Sequence, residues 1–274
     1  MKKIETINYD IPKYIYIPFK EEEKLQIKET KEVYVGDFIT IFDNKNIYSS
    51  VSGKIVGKSN YYLNNENING LVIENDKKDM KIETNYQKSF FDLGKNDIKK
   101  LMQDNNLEKD TSKIVVLKIN YIKNYDISDY YKLKEKTKEV LNALNKISYA
   151  YELKKVYILV NKKDKLLIKE LNNYLVNFPN IDIITKLKSD SSEYTLDEII
   201  KLSQILNKKN VSRHIYLTIN YKKRVLVVKL RRYSLLKDLL EYLNIVNKKC
   251  YNINNELLYE RNILDDKIKT IIIK

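Results

Sequence analysis

Hydrophobic positions along this chain change their period near residue 95 and again near residue 212. Up to about residue 85 they fall in short β-branched and aromatic runs bounded by turn residues, with no helical period. Tyr14 to Phe19 alternates, Glu32 to Tyr34 leads into a turn at Gly36-Asp37, and Phe38 to Phe42 forms a further run. Asp43 to Asn46 reads as a turn. Val51 to Gly57 predicts a strand interrupted by Gly53 and Gly57, and Gly70 to Asp76 a strand that ends in a turn. Glycine inside a strand marks a bulge or a close backbone approach, so the pair predicts a sharply bent strand in a small barrel or sandwich.

From Asn96 the pattern alternates between helices and strands. Asn96 is placed to cap a short helix with Ile98, Leu101 and Met102 on one face, and Lys113 to Ile119 follows as a buried strand. A long helix begins near Asp126 or Ser128 and carries Leu133, Thr137, Val140, Leu141, Leu144 and Ile147 on one stripe, which must pack on a sheet or another helix. Val156 to Val160 is a strand, Asp164 to Asn177 a helix, and Ile181 to Leu187 a strand. Thr195 and Glu198 form a capping box that opens a helix through Ile199, Leu202, Ile205 and Leu206. This order predicts an α/β layer on a largely parallel sheet. From about residue 212 two adjacent strands, His214 to Asn220 and Arg224 to Leu230, precede a helix from Ser234 and short strands at Glu256 to Tyr259 and Lys267 to Ile273. A hairpin, a helix and late strands are the ingredients of a β-grasp.

Composition narrows the chemistry. A chain of 274 residues with 43% hydrophobic content is long enough for real cores. One cysteine, Cys250, excludes an intrachain disulfide and fits a reducing compartment. Glu5, Asp10, Pro12 and Pro18 interrupt any signal-length apolar run, and no window reaches the roughly 18 apolar residues of a membrane helix. The expectation is a soluble, cytoplasmic protein. The 51 Lys and Arg against 37 Asp and Glu leave a formal charge of +14, spread along a chain rich in Lys, Asn, Ile and Tyr. Lys222, Lys223, Arg224, Lys229, Arg231 and Arg232 form the best candidate basic patch, with a solvated face favoured over a binding site.

The succession IPFK, VYVGDFI, SSVSGKIVGK and LVIEND resembles the barrel-sandwich domain of RnfC, the C subunit of the Rnf electron-transport complex, a family related to the NADH-binding subunit of respiratory complex I and to proline-reductase-associated RnfC-like proteins. SDYYKLKEKTKEVLNALNK resembles the helix after that family's nucleotide-site strand, KKVYILVNKK its next strand, and IYLTINYKKRVLVVKLRRYSLLKDLLEYLNI its β-grasp hairpin and helix. The resemblance implies a barrel-sandwich hybrid over residues 1–86, a degenerate nucleotide-binding α/β domain over 87–211, and a soluble-ligand-binding-like β-grasp over 212–274.

The family's chemistry requires more than this chain has. A Gly-Gly-x-Gly loop brings backbone amides to flavin and NADH phosphates. The corresponding stretch, Phe90 to Asp97, has only Gly94, and of the acidic Glu-x-x-Pro-Tyr segment only Tyr125 is kept. One cysteine cannot hold an iron-sulfur cluster, and one cysteine with one histidine cannot build an ordinary zinc or redox-metal site. Related folds carry biotin or lipoyl groups on a hairpin lysine, but Lys54 and Lys58 lack that sequence setting. His214, at a strand start, reads as structural. Cys250 lies beside Lys248 and Lys249, which would lower its pKa, yet no partner base is evident. The carboxylate pairs Asp265-Asp266 and Glu74-Asp76 read as solvated turns.

The expected function is therefore an RnfC-like, non-catalytic docking or assembly component of an electron-transfer or reductase complex, with no catalytic residue, cofactor or metal. Two alternatives stand beside it. One is an electron-transfer subunit with an unrecognised or partner-shared flavin or NADH site; the other is a basic-surface binder of nucleic acid or anionic membrane.

Overall fold

The computed structural model describes residues 3–20, 31–43, 45–81, 93–111, 113–119, 127–187, 190–207, 213–245 and 247–274. It is a mixed α/β chain with several sheets and, among the described residues, five helices. The chain falls into two compact units: Met1–Thr84, Asn124–Ser128 and Val211–Lys274 make the first, and Asn85–Lys123 and Asp129–Asn210 the second.

The first unit opens with β1 (Lys3–Tyr9), β2 (Tyr14–Phe19), β3 (Glu32–Val33), β4 (Phe38–Phe42), β5 (Lys45–Tyr48), β6 (Gly53–Leu63) and β7 (Glu66–Asn75). β6 and β7 are one long antiparallel hairpin whose two-residue tip, Asn64-Asn65, has φ of 50° and 66°. Two positive-φ residues match the right-handed twist of the flanking strands. The predicted irregularity of β6 is present: its register shifts between Ile55 and Gly57, leaving Val56 as the extra, exposed residue. Gly53 meets the other expectation of a strand glycine. It has φ 155°, and a Cβ there would lie 1.9 Å from the Glu74 carbonyl oxygen. β2, β7, β6 and β3 form a four-stranded sheet and β4 pairs with β5. Ile15, Ile17, Ile39, Ile55, Leu71 and Ile73 are buried in their shared core.

The second unit follows as α1 (Lys95–Asp104), β8 (Ile114–Lys118), α2 (Ser128–Ala150), β9 (Val156–Leu159), α3 (Lys165–Leu175), β10 (Ile181–Ile184), β11 (Ser191–Thr195) and α4 (Leu196–Leu206). The sheet order is β10-β9-β8-β11, parallel throughout. The predicted stripe of α2 is buried from Leu133 to Ile147. The helix kinks at Lys136, where φ is −113°. The adjoining Thr137 hydroxyl donates to the carbonyls of Leu133 (2.9 Å) and Lys134 (3.3 Å), a back-bond that bends helices. α1 starts one residue before Asn96, with Gly94 as its N-cap.

The first unit resumes with β12 (His214–Tyr221), β13 (Arg224–Arg231), α5 (Leu236–Tyr242), β14 (Cys250–Tyr251), β15 (Leu257–Leu258) and β16 (Thr270–Ile273). They join β1 in one sheet of order β1-β13-β12-β16-β14-β15. β1 lies parallel to β13 and β16 parallel to β12. Leu236, Leu239 and Leu240 of α5 bury against Leu217, Ile219, Val228 and Ile271 of this sheet.

Candidate functional site

Open parallel sheets bind ligands outside the carboxyl ends of their strands, where the chain order reverses. In the second unit β8, β9 and β10 run to one side, and β11 returns to the other side of β8. In this unit those strand ends are the ends of β8 and β11, from which α2 and α4 lead. Across the two strands the Lys118 ammonium meets Glu193 at 2.9 Å. Lys132, in the first turns of α2 and with a side chain 9% exposed, pairs with Asp197 in the first turn of α4. Thr195 caps α4 by accepting from the Glu198 N–H (3.2 Å), and Glu198 returns a carboxylate to the Thr195 N–H (2.7 Å) while also binding Lys109 (2.9 Å). Burial pushes Glu198 up, but these hydrogen bonds and Lys109 outweigh it and hold the carboxyl below its usual range. The positive end of α4 thus faces the protein's own anions, and the lysines that a phosphate would need already hold carboxylates.

The Gly94 N–H donates to Asp97 Oδ2 at 3.1 Å and starts α1. Phe90, Phe91, Asp92, Tyr125 and the rest of the Glu-x-x-Pro-Tyr counterpart lie outside the described residues. Between α2 and α3 is a shallow cleft of about 240 Å³, bridged by Lys134 and Glu170 at 3.0 Å. It is smaller than a usual ligand pocket, about 300 Å³ or more.

The six residues of the basic patch are spread rather than gathered. Lys222 and Lys223 are exposed in the β12–β13 turn, and Arg224 pairs with Glu5. Lys229 is half-buried. Arg232 pairs with Asp266. Arg231 is buried, its side chain 5% exposed, and binds two carboxylates, Asp10 at 2.8 Å and Asp79 at 2.6 Å, together with the Ser50 carbonyl at 3.1 Å. His214 Nε2 meets the same Asp10 oxygen, and Arg213 approaches Asp79 at 3.8 Å. Burial pushes the His214 imidazole down; Asp10 works against this, but Arg231 and Lys229 add to it, and the net shift is downward. Burial raises Asp10, and His214 and Arg231 more than reverse it. This cluster in the first unit carries the single histidine of the chain.

Cys250 is buried, and burial, aided by Glu260, pushes its thiol up to about 11; the neighbouring lysines do not lower it. Asp76 accepts from the Ser52 hydroxyl (2.6 Å) and the Lys78 N–H (2.9 Å), closing a turn. Asp265 accepts from the Lys267 N–H at 2.9 Å. Lys54 and Lys58 sit in the body of β6, away from its tip. Among the described residues no three His, Cys, Asp or Glu side chains gather as a metal would require, and no helix is long and apolar enough to cross a membrane. Comparison with protein-family models and with curated proteins found no match.

Proposed function

We propose that this protein is an RnfC-like scaffold that acts as a non-catalytic docking or assembly component of a cytoplasmic electron-transfer or reductase complex. The observation that carries this reading is the strand-end region of the second unit, where Lys118 pairs with Glu193, Lys132 with Asp197 and Lys109 with Glu198. The β-grasp part of the reading is supported by the strand order β13-β12-β16-β14-β15, with β16 parallel to β12 and α5 on one face. The barrel-sandwich part is supported by the bulged β6–β7 hairpin and the second small sheet that shares its core. Exposed rings such as Tyr149, Tyr242 and Tyr259 suit a protein interface. The paired arginines weigh against a basic-surface binder.

The test is an absorbance spectrum of protein purified under reducing, anaerobic conditions, followed by calorimetric titration with flavin mononucleotide and NADH. The expected result is the near-ultraviolet tyrosine band alone and no binding heat. A yellow or brown chromophore, or stoichiometric binding of either molecule, overturns the proposal in favour of an electron-transfer subunit.

A further inference from the structure

β1 is the outermost strand of the six-stranded sheet and, among the described residues, pairs with β13 alone. The β12–β13 turn decides which of its backbone groups point outward. Tyr221 and Arg224 face each other across the two turn residues Lys222 and Lys223, so they form a hydrogen-bonded pair, and from there every second residue of β13 bonds to β12. Val225, Val227 and Lys229 therefore turn their N–H and C=O groups to β1, where Glu5, Ile7 and Tyr9 meet them. The backbone groups of Ile4, Thr6 and Asn8 are left pointing away from the sheet. Asn8 agrees with this alternation, because its carbonyl accepts from the Tyr242 hydroxyl at 3.4 Å.

A row of outward N–H and C=O groups is a template for another strand, and proteins blunt such edges with very short strands, proline, bulges or charge. β1 runs seven residues in unbroken register with β13 and contains no proline. Between Ile4 and Tyr9 its one charged residue, Glu5, is paired with Arg224 of β13. The side chains exposed along the strand, Ile4, Thr6 and Asn8, are uncharged.

We infer that β1 is a homodimerisation edge, through which two copies of this chain join antiparallel about a two-fold axis at Thr6. The occupant is a second copy because the strand is complementary to itself. Antiparallel strands exchange hydrogen bonds between residues that lie directly opposite. An axis at Thr6 sets Thr6 against Thr6 of the second copy and Ile4 against its Asn8, so each outward N–H meets an outward C=O. The same axis uses the whole strand and places Glu5 opposite Ile7. An axis one residue earlier would set two Glu5 carboxylates face to face, which destabilises a pair of strands. Tyr242, 52% exposed at the Asn8 end, and Ile11, 60% exposed just beyond it, add apolar surface at each end of the joined strands.

Sedimentation equilibrium of the full chain from about 1 μM to about 1 mM, which spans moderate to weak association, tests this. The weight-average mass is expected to rise from that of one chain towards that of two. Hydrogen exchange on the same samples should alternate along β1. The amides of Ile4, Thr6 and Asn8 should gain several-fold protection with concentration, whereas those of Glu5, Ile7 and Tyr9, held by β13, should keep theirs. Thr6→Pro removes an outward N–H without touching the β13 ladder and should abolish both effects. A single-chain mass throughout would leave the edge to a partner of another kind and overturn the inference. So would exchange at Ile4, Thr6 and Asn8 that ignores concentration, or a Thr6→Pro variant that dimerises as the wild type does. Should that variant not fold, the exchange pattern of the wild-type chain decides alone.

Discussion

The two units use ion pairs in opposite ways. In the first, Arg231 is withdrawn from solvent and ties together Asp10, Asp79 and the Ser50 carbonyl, groups drawn from segments far apart in the chain. In the second, most pairs lie on the surface: Lys134 with Glu170 and Lys155 with Asp182 have all four side chains more than 40% exposed. The same chemistry carries different weight in the two settings. An exposed pair trades one hydration shell for another, whereas a buried guanidinium that loses its carboxylates leaves uncompensated charge in a poor solvent.

The contrast between the units rests most heavily on Arg231. Arg231→Met strands Asp10 and Asp79 and should lower stability by about 3–5 kcal/mol in urea denaturation. Adding Asp10→Asn and Asp79→Asn should recover much of that loss, since neither carboxylate is then left facing a missing guanidinium. A loss below about 1 kcal/mol for the single variant would show that water reaches the cluster. In the second unit a cap has an intermediate effect. Thr195→Ala removes the acceptor of the Glu198 N–H and should cost about 1 kcal/mol. The smallest effect belongs to the α2–α3 cleft, where Lys134→Met should change stability by less than about 0.5 kcal/mol and by nothing measurable in high salt. A salt-resistant loss there would erase the distinction between the units.

What sequence reading recovers follows how local the cause is. The bend of β6 is encoded by Gly53 and Gly57 themselves, and the start of α4 by Thr195 and Glu198, three residues apart. The stripe on α2 gives that helix directly, although not the kink, which depends on which carbonyl the Thr137 hydroxyl chooses. β1 and β11 escape because edge strands with one shielded face need no strong apolar alternation; Ser191–Thr195 is almost wholly polar. The Arg231 cluster escapes for another reason. Asp10 and Asp79 are brought to it by the fold, across 221 and 152 positions of sequence.

The arrangement of the six-stranded sheet also sets a timetable for synthesis. Among the described residues the strand pairings of the second unit lie between residues 114 and 195 and can close as soon as that stretch leaves the ribosome. β13, the partner of β1, begins more than two hundred residues after it, and β12 waits for β16 at residues 270–273. During that interval β1 lacks its partner strand. Pairings of such long range are slow to form and leave strand edges open meanwhile.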